Sequence, residues 1–178
     1  MGFGKSFLLS LVAFVGLNFI FTILFFAIDS DSGGFDSLMS TIQDAPLMII
    51  YYLFGSVTSV PSNNLDWAIV QPLFEENTTY LILSLGYLAA PIIAAILAGK
   101  FAESKFQGFA GWLLTVIVST VAVVIGVFLS PKLELEFGKL FYEWTGFELI
   151  LIYLVISCIV NIVFYSFFAL LLSKTEYY

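Results

Sequence analysis

Residues 80–129 read YLILSLGYLAAPIIAAILAGKFAESKFQGFAGWLLTVIVSTVAVVIGVFL. Two charge-free apolar runs, 80–99 and 109–129, flank a linker that carries Lys100, Glu103 and Lys105. A helix rises about 1.5 Å per residue, so roughly 20 residues cross the ~30 Å hydrocarbon core of a bilayer. Each run meets that length. The short linker makes the pair an antiparallel hairpin, and its lysines place it on the cytoplasmic side by the positive-inside rule.

Two further charge-free runs lie outward from this hairpin, at 7–28 and 149–172. The expected fold is therefore an all-α integral membrane protein, a bundle of four transmembrane helices forming a single domain over 1–178. Lys5 precedes the first run and Lys174 follows the last, so both termini are expected in the cytoplasm. The first run follows Lys5 as a signal peptide would, but it is too long for an h-region and lacks an A-x-A-like site, so it reads as a span. The opposite side is acid-rich. Between spans one and two stand Asp29, Asp31, Asp36, Asp44, Asp66, Glu75 and Glu76 with no lysine. Between spans three and four stand Glu134, Glu136, Glu143 and Glu148 against Lys132 and Lys139.

This topology governs the apolar stretch 45–60, APLMIIYYLFGSVTSV. It is short for a span and holds Gly55, Ser56, Thr58 and Ser59, and a crossing there would put the Lys100–Lys105 linker on the acidic side. It reads as a re-entrant or interfacial element at the outer face. Outer cap elements are expected over about 36–76 and 131–146. Leu133, Phe137, Leu140, Phe141 and Trp144 form one stripe of a short amphipathic helix, with Tyr142 and Trp144 at the interface. Residues 65–74, with Trp67, form a second such piece that stops near Pro72. Thr145 with Glu148 reads as a capping box for span four, and Asn77 as a cap for span two.

Composition narrows the chemistry. The chain is 61% hydrophobic and 11% charged, with no His and no Arg. Absence of His removes haem ligation, most zinc sites and the usual general base near neutral pH. No catalytic residue, metal site or cofactor is expected, and no zincin, nucleophile-elbow or phosphate-loop motif occurs. The DSDSGG run from Asp29 lacks EF-hand spacing and reads as a solvated connector. Cys158, alone in an apolar run, reads as a buried filler. Asn77-Thr78-Thr79 matches the glycosylation acceptor pattern but stands too near the membrane to be modified readily. An acidic chain with no basic patch is not expected to bind nucleic acid.

Helix association in lipid relies on close packing and polar contacts. Gly86, Ala90, Ala94 and Ala98 recur every four residues on span two, and Gly111, Thr115, Ser119, Ala122 and Gly126 line span three. These two spans are expected to make the tightest contact. Spans one and four are Phe-rich and read as facing lipid or partners, yet each has a central asparagine, Asn18 and Asn161. Tyr153, Ser157, Asn161 and Tyr165 form a four-residue stripe, and Asn18 with Thr22 begins another. Interhelical hydrogen bonding is the expected role, because an unpaired amide in hydrocarbon is costly. Pro91 marks a candidate kink beside Asn18, Ser119, Thr120 and Asn161 at similar depth.

The expected function is a non-enzymatic structural or accessory subunit of a larger membrane assembly, contacting the lipid bilayer and either other membrane subunits or further copies of itself. A prokaryotic cell membrane suits the acidic, Arg-free composition. The alternative is a small oligomeric channel or carrier with a polar midplane site and the 45–60 element as a gate. No ionisable side chain lies in any span, which argues against ion-coupled transport. The topology is testable by labelling. Cysteines placed at Asp36 or Asn64 in a Cys158→Ala background should react with an impermeant reagent applied to intact cells, and tags near Lys174 should not. The reverse pattern would invert the orientation.

Overall fold

A computed structural model of the chain describes residues 2–28, 33–140 and 147–174, with the backbone alone for 136–140. Among these residues the structure is all-helical, with no strand. Four helices are long and apolar enough to cross a membrane: α1 (Gly2–Ile28), α6 (Leu81–Lys100), α7 (Lys105–Leu129) and α9 (Phe147–Leu172). Between α1 and α6 lie α2 (Gly34–Asp44), α3 (Met48–Phe54), α4 (Pro61–Leu65) and α5 (Gln71–Phe74), and α8 (Pro131–Leu140) follows α7. The bundle has a lysine end, where α1 begins and α6 meets α7, and an acid-rich end, where α2–α5 and α8 gather.

Local sequence explains several boundaries. Helix α7 starts four residues before the apolar run because Ser104 caps it. Its Oγ accepts the Gln107 N–H at 3.3 Å, and Gln107 Oε1 accepts the Glu103 N–H at 3.2 Å, a variant of the capping box. Asn77 does not cap α6. Its Oδ1 accepts the Thr79 N–H at 3.1 Å in a local turn, and α6 begins after Tyr80 with no side-chain cap. The piece expected at 65–74 starts earlier and runs past Pro72. Helix α4 passes through a wide π turn, Asp66–Val70, into α5. Pro72 lies in the first turn of α5, where a missing N–H and a fixed φ are tolerated. Helix α2 was not anticipated as a separate element. It opens from Gly33 and Gly34, whose φ values of 79° and 75° favour glycine, and buries Leu38 while Phe35 and Met39 stay exposed. Tyr142, Phe141, Trp144, Thr145, Asp29 and Asp31 lie outside the described residues, as does much of the amphipathic stripe expected on α8. Of that stripe, Leu133 is fully buried.

The expected dominance of the α6–α7 contact is not what forms. Helix α6 packs most extensively against α1, and α7 packs against α9 and α1. The small residues explain this, because each admits a third helix. Gly86 receives the ring of Phe21 from α1, Gly111 receives Ser6, and Gly99 lies against the backbone carbonyl of Ala169 on α9. Ala90, Ala94 and Ala98 are wholly buried on the same stripe. Helix α1 contributes Ser6, Ser10, Phe14, Asn18 and Thr22, one buried residue every four. Ser6 Oγ donates to Ala98 O at 2.7 Å, and Thr115 Oγ1 donates to Ser10 Oγ at 3.0 Å. Phe14, Trp112 and Tyr165 then form a buried aromatic core, with centroids 6.2 and 5.8 Å apart in sequence along the chain of rings.

Helices α1 and α9 leave more of their apolar surface exposed than α6 and α7 do. In their most apolar windows α1 and α9 are 17% and 22% buried, against 44% for both α6 and α7. Helix α6 runs unbroken through Pro91, whose ring is buried. The close approach at Gly99 generates a prediction. Gly99→Ala places a methyl against backbone that cannot rotate away and should cost about 1–3 kcal/mol. Gly16→Ala meets nothing within 4 Å and should be neutral or stabilising by up to about 1 kcal/mol. Thermal unfolding of both variants in one detergent separates the two outcomes.

Candidate functional site

The chain from α2 to α5 enters the bundle from the acid-rich end and returns to it, turning at the bundle's centre. Helix α3 packs between α1 and α7, and its C-terminus tightens into a 3₁₀ turn, Gly55–Thr58, followed by extended Ser59 and Val60. Every residue of Gly55–Thr58 is buried, and the turn touches α6, α7 and α9. Gly55 is required by proximity, since a Cβ there would collide with the Tyr87 hydroxyl.

Away from regular helix, backbone polar groups in an apolar interior need other partners. The two central asparagines supply them. Asn18 Oδ1 accepts the Ser56 N–H at 3.2 Å, while its own amide donates to Phe14 O at 2.8 Å. On the opposite wall, Ser157 Oγ donates to Val57 O at 2.7 Å. Asn161 Nδ2 donates to Ser59 O at 3.1 Å and lies 3.4 Å from Val57 O, and it also reaches Ser157 O at 2.9 Å and Ser157 Oγ at 3.1 Å. Asn18 and Asn161 are 0% and 2% exposed. Counting along the helices at about 1.5 Å per residue, Asn18 lies about 15 Å and Asn161 about 21 Å from the acid-rich ends of α1 and α9. The turn therefore reaches the middle of the bundle. The asparagines bond their own helices and this turn, instead of joining one long helix directly to another.

The remaining midplane candidates are distributed differently. Ser119 is wholly buried and donates to Thr115 O of its own helix at 2.7 Å. Thr120 Oγ1, Ser56 Oγ and Asn161 Oδ1 are buried without a hydrogen-bond partner among the described residues. Beyond the turn, Ser59 Oγ donates to Asn64 Oδ1 at 2.8 Å, and Asn63 Nδ2 reaches Ser59 Oγ at 3.3 Å. Asn64 is thus 2% exposed, so a cysteine there is shielded, and the adjacent exposed Ser62 or Asn63 is the appropriate labelling position beside Asp36. Ser6 and Ser10 are buried, hydrogen-bonded packing residues that the sequence reading missed. Their four-residue spacing before Asn18 and Thr22, interrupted only by Phe14, was the available signal.

Above the turn, towards the acid-rich end, lies a cavity of about 180 Å³ between α1, α3 and α6. No group of three or more His, Cys, Asp or Glu side chains able to hold a metal occurs among the described residues. Comparison with protein families, curated proteins and solved structures returns no match for this chain.

The turn's hydrogen bonds yield a prediction. Asn161→Leu removes the amide that serves Ser59 O, while Val57 O keeps Ser157 Oγ, so one buried carbonyl is left short of a donor, a loss of about 1–3 kcal/mol. Asn18→Leu removes the acceptor of the buried Ser56 N–H and should cost a comparable amount. Asn161→Leu should lower the thermal midpoint in detergent and raise the reactivity of a cysteine placed at Val57. An unchanged midpoint with an unreactive cysteine would show that the turn does not depend on this amide.

Proposed function

We propose that this chain is a non-enzymatic structural or accessory subunit of a larger membrane assembly, with its acid-rich end outside and both termini in the cytoplasm of a prokaryotic cell. The observation that carries the reading is the use made of Asn18 and Asn161. Both amides are buried and committed to the chain's own turn, so the polar centre serves as a clamp that makes one rigid body from four spans and a re-entrant segment. The faces turned outward are apolar. On α9 these include Ile152, Ile159, Val163 and Phe167, all more than half exposed, and on α7 Phe128 and Leu129. Such surfaces suit lipid or the spans of neighbouring subunits.

A second reading, a small oligomeric channel or carrier, is favoured by one specific feature. Ser56 Oγ on the turn, Asn161 Oδ1 beside it and Thr120 Oγ1 on α7 are buried without a hydrogen-bond partner among the described residues, which leaves hydrogen-bonding capacity in the interior. The two readings separate experimentally. Gentle detergent extraction from the native membrane, followed by mass spectrometry, should recover the chain at fixed stoichiometry with other membrane subunits. Recovery as a lone chain or closed homo-oligomer that passes solute in proteoliposomes, with flux altered by Thr120→Val, would replace the subunit reading with the channel reading.

A further inference from the structure

Six rings line the cavity above the turn, those of Phe25, Phe26, Tyr51, Tyr52, Tyr80 and Tyr87, and Thr22, Met48 and Leu83 complete its wall. Three elements build it: the last turns of α1, the body of α3 and the first turns of α6. The rings support one another. Phe25 stacks on Tyr80 at 6.0 Å and 13°, Phe26 stands edge-on to Phe25 at 5.3 Å and to Tyr52 at 6.0 Å, and Tyr51 is tilted against Tyr52 at 6.0 Å. Trp67 braces Tyr80 from outside, edge to face at 5.1 Å. Among the described residues no charged side chain lines the space.

We propose that this aromatic cavity binds a small organic cation, specifically a quaternary ammonium group. Three observations converge on that chemistry. The walls are electron-rich rings in a partly desolvated setting, the arrangement that recognises quaternary ammonium through cation–π attraction. The size is suitable, since a cavity of about 150 Å³ accepts a benzene-sized guest and drug-sized ligands need about 300 Å³ or more. The surroundings favour positive charge. Tyr80, which lines the cavity, is 40% exposed and lies at the end of the bundle that carries Asp44, Asp66, Glu75 and Glu76. No lysine or arginine occurs between Lys5 and Lys100. Acidic groups flanking an uncharged aromatic slot raise the local concentration of cations without burying a carboxylate. The trimethylammonium head can belong to a free cation such as choline or to a phosphatidylcholine headgroup. This assignment is independent of whether the chain works within an assembly.

The test is a titration of the purified full chain in a maltoside detergent, which carries no choline of its own. Choline and tetramethylammonium are compared with 3,3-dimethylbutanol, the neutral isostere of choline, by calorimetry. Choline should bind saturably, at least about fivefold more tightly than the isostere. Tyr80→Leu should weaken choline about fivefold or more, and Tyr80→Phe should retain it, with thermal unfolding confirming that both variants are folded. Equal affinity for choline and the isostere would overturn the proposal in favour of a slot for alkyl groups. Absence of saturable choline binding to the wild-type chain would overturn it outright. Repeating the titration in nanodiscs identifies the source. Loss of choline binding in phosphatidylcholine discs but not in phosphatidylglycerol discs supports the lipid headgroup, and binding in both supports a free cation.

Discussion

A chain that turns around inside an apolar bundle must bring hydrogen-bond partners for the backbone it exposes there. At Gly55–Thr58 and the extended residues that follow, the helical ladder stops, and each unpartnered N–H or C=O in such surroundings costs several kcal/mol. Asn18, Ser157 and Asn161 meet that demand from two opposite helices. The consequence spreads outward. Asn18 ties the register of α1 to the turn, Ser157 and Asn161 tie that of α9, and the glycine at position 55 lets Tyr87 of α6 close over it. Three of the four long helices are thus positioned by a turn of four residues.

The two halves of the bundle are held by different physics. Towards the lysine end the helices meet through glycine, alanine and serine, and the core is filled by Phe14, Trp112 and Tyr165. Lipid gives helices little apolar reason to associate, so close backbone approach and short hydroxyl–carbonyl bonds such as Ser6 to Ala98 carry the contact. Towards the acid-rich end α3 and the turn that follows it wedge between α1, α6, α7 and α9. Large aromatic rings from α1, α3 and the start of α6 line the cavity there.

Much of this was legible from residues alone where the signal was a property of one segment. The four spans, their approximate limits and the failure of 45–60 to qualify as a fifth followed from length, apolarity and lysine placement. The structure leaves that stretch as a short helix and turn inside the bundle. Local chemistry was readable but was misassigned in places. The Ser104-to-Gln107 cap is a sequence signature that extends α7 and was overlooked, whereas Asn77 satisfies its own turn instead of α6. Stripes of small residues did not name their partner helix: Gly86 and Gly111 face α1, and Gly99 faces α9.

Hydropathy and charge, which are additive along the chain, determined by themselves that this is a four-span helical protein with one acidic and one lysine-bearing end. The spacing of Asn18 and Asn161 near the centres of their spans determined that polar groups would meet at mid-depth. What only the tertiary structure decided is whom they meet. A buried amide needs a partner, and any donor or acceptor brought within about 3 Å will serve. That choice depends on where a segment 38 residues from Asn18 and about 100 from Asn161 comes to rest. The same folding back of α3 onto α1 and α6 creates the aromatic cavity, because its six rings come from three segments that are adjacent only in space.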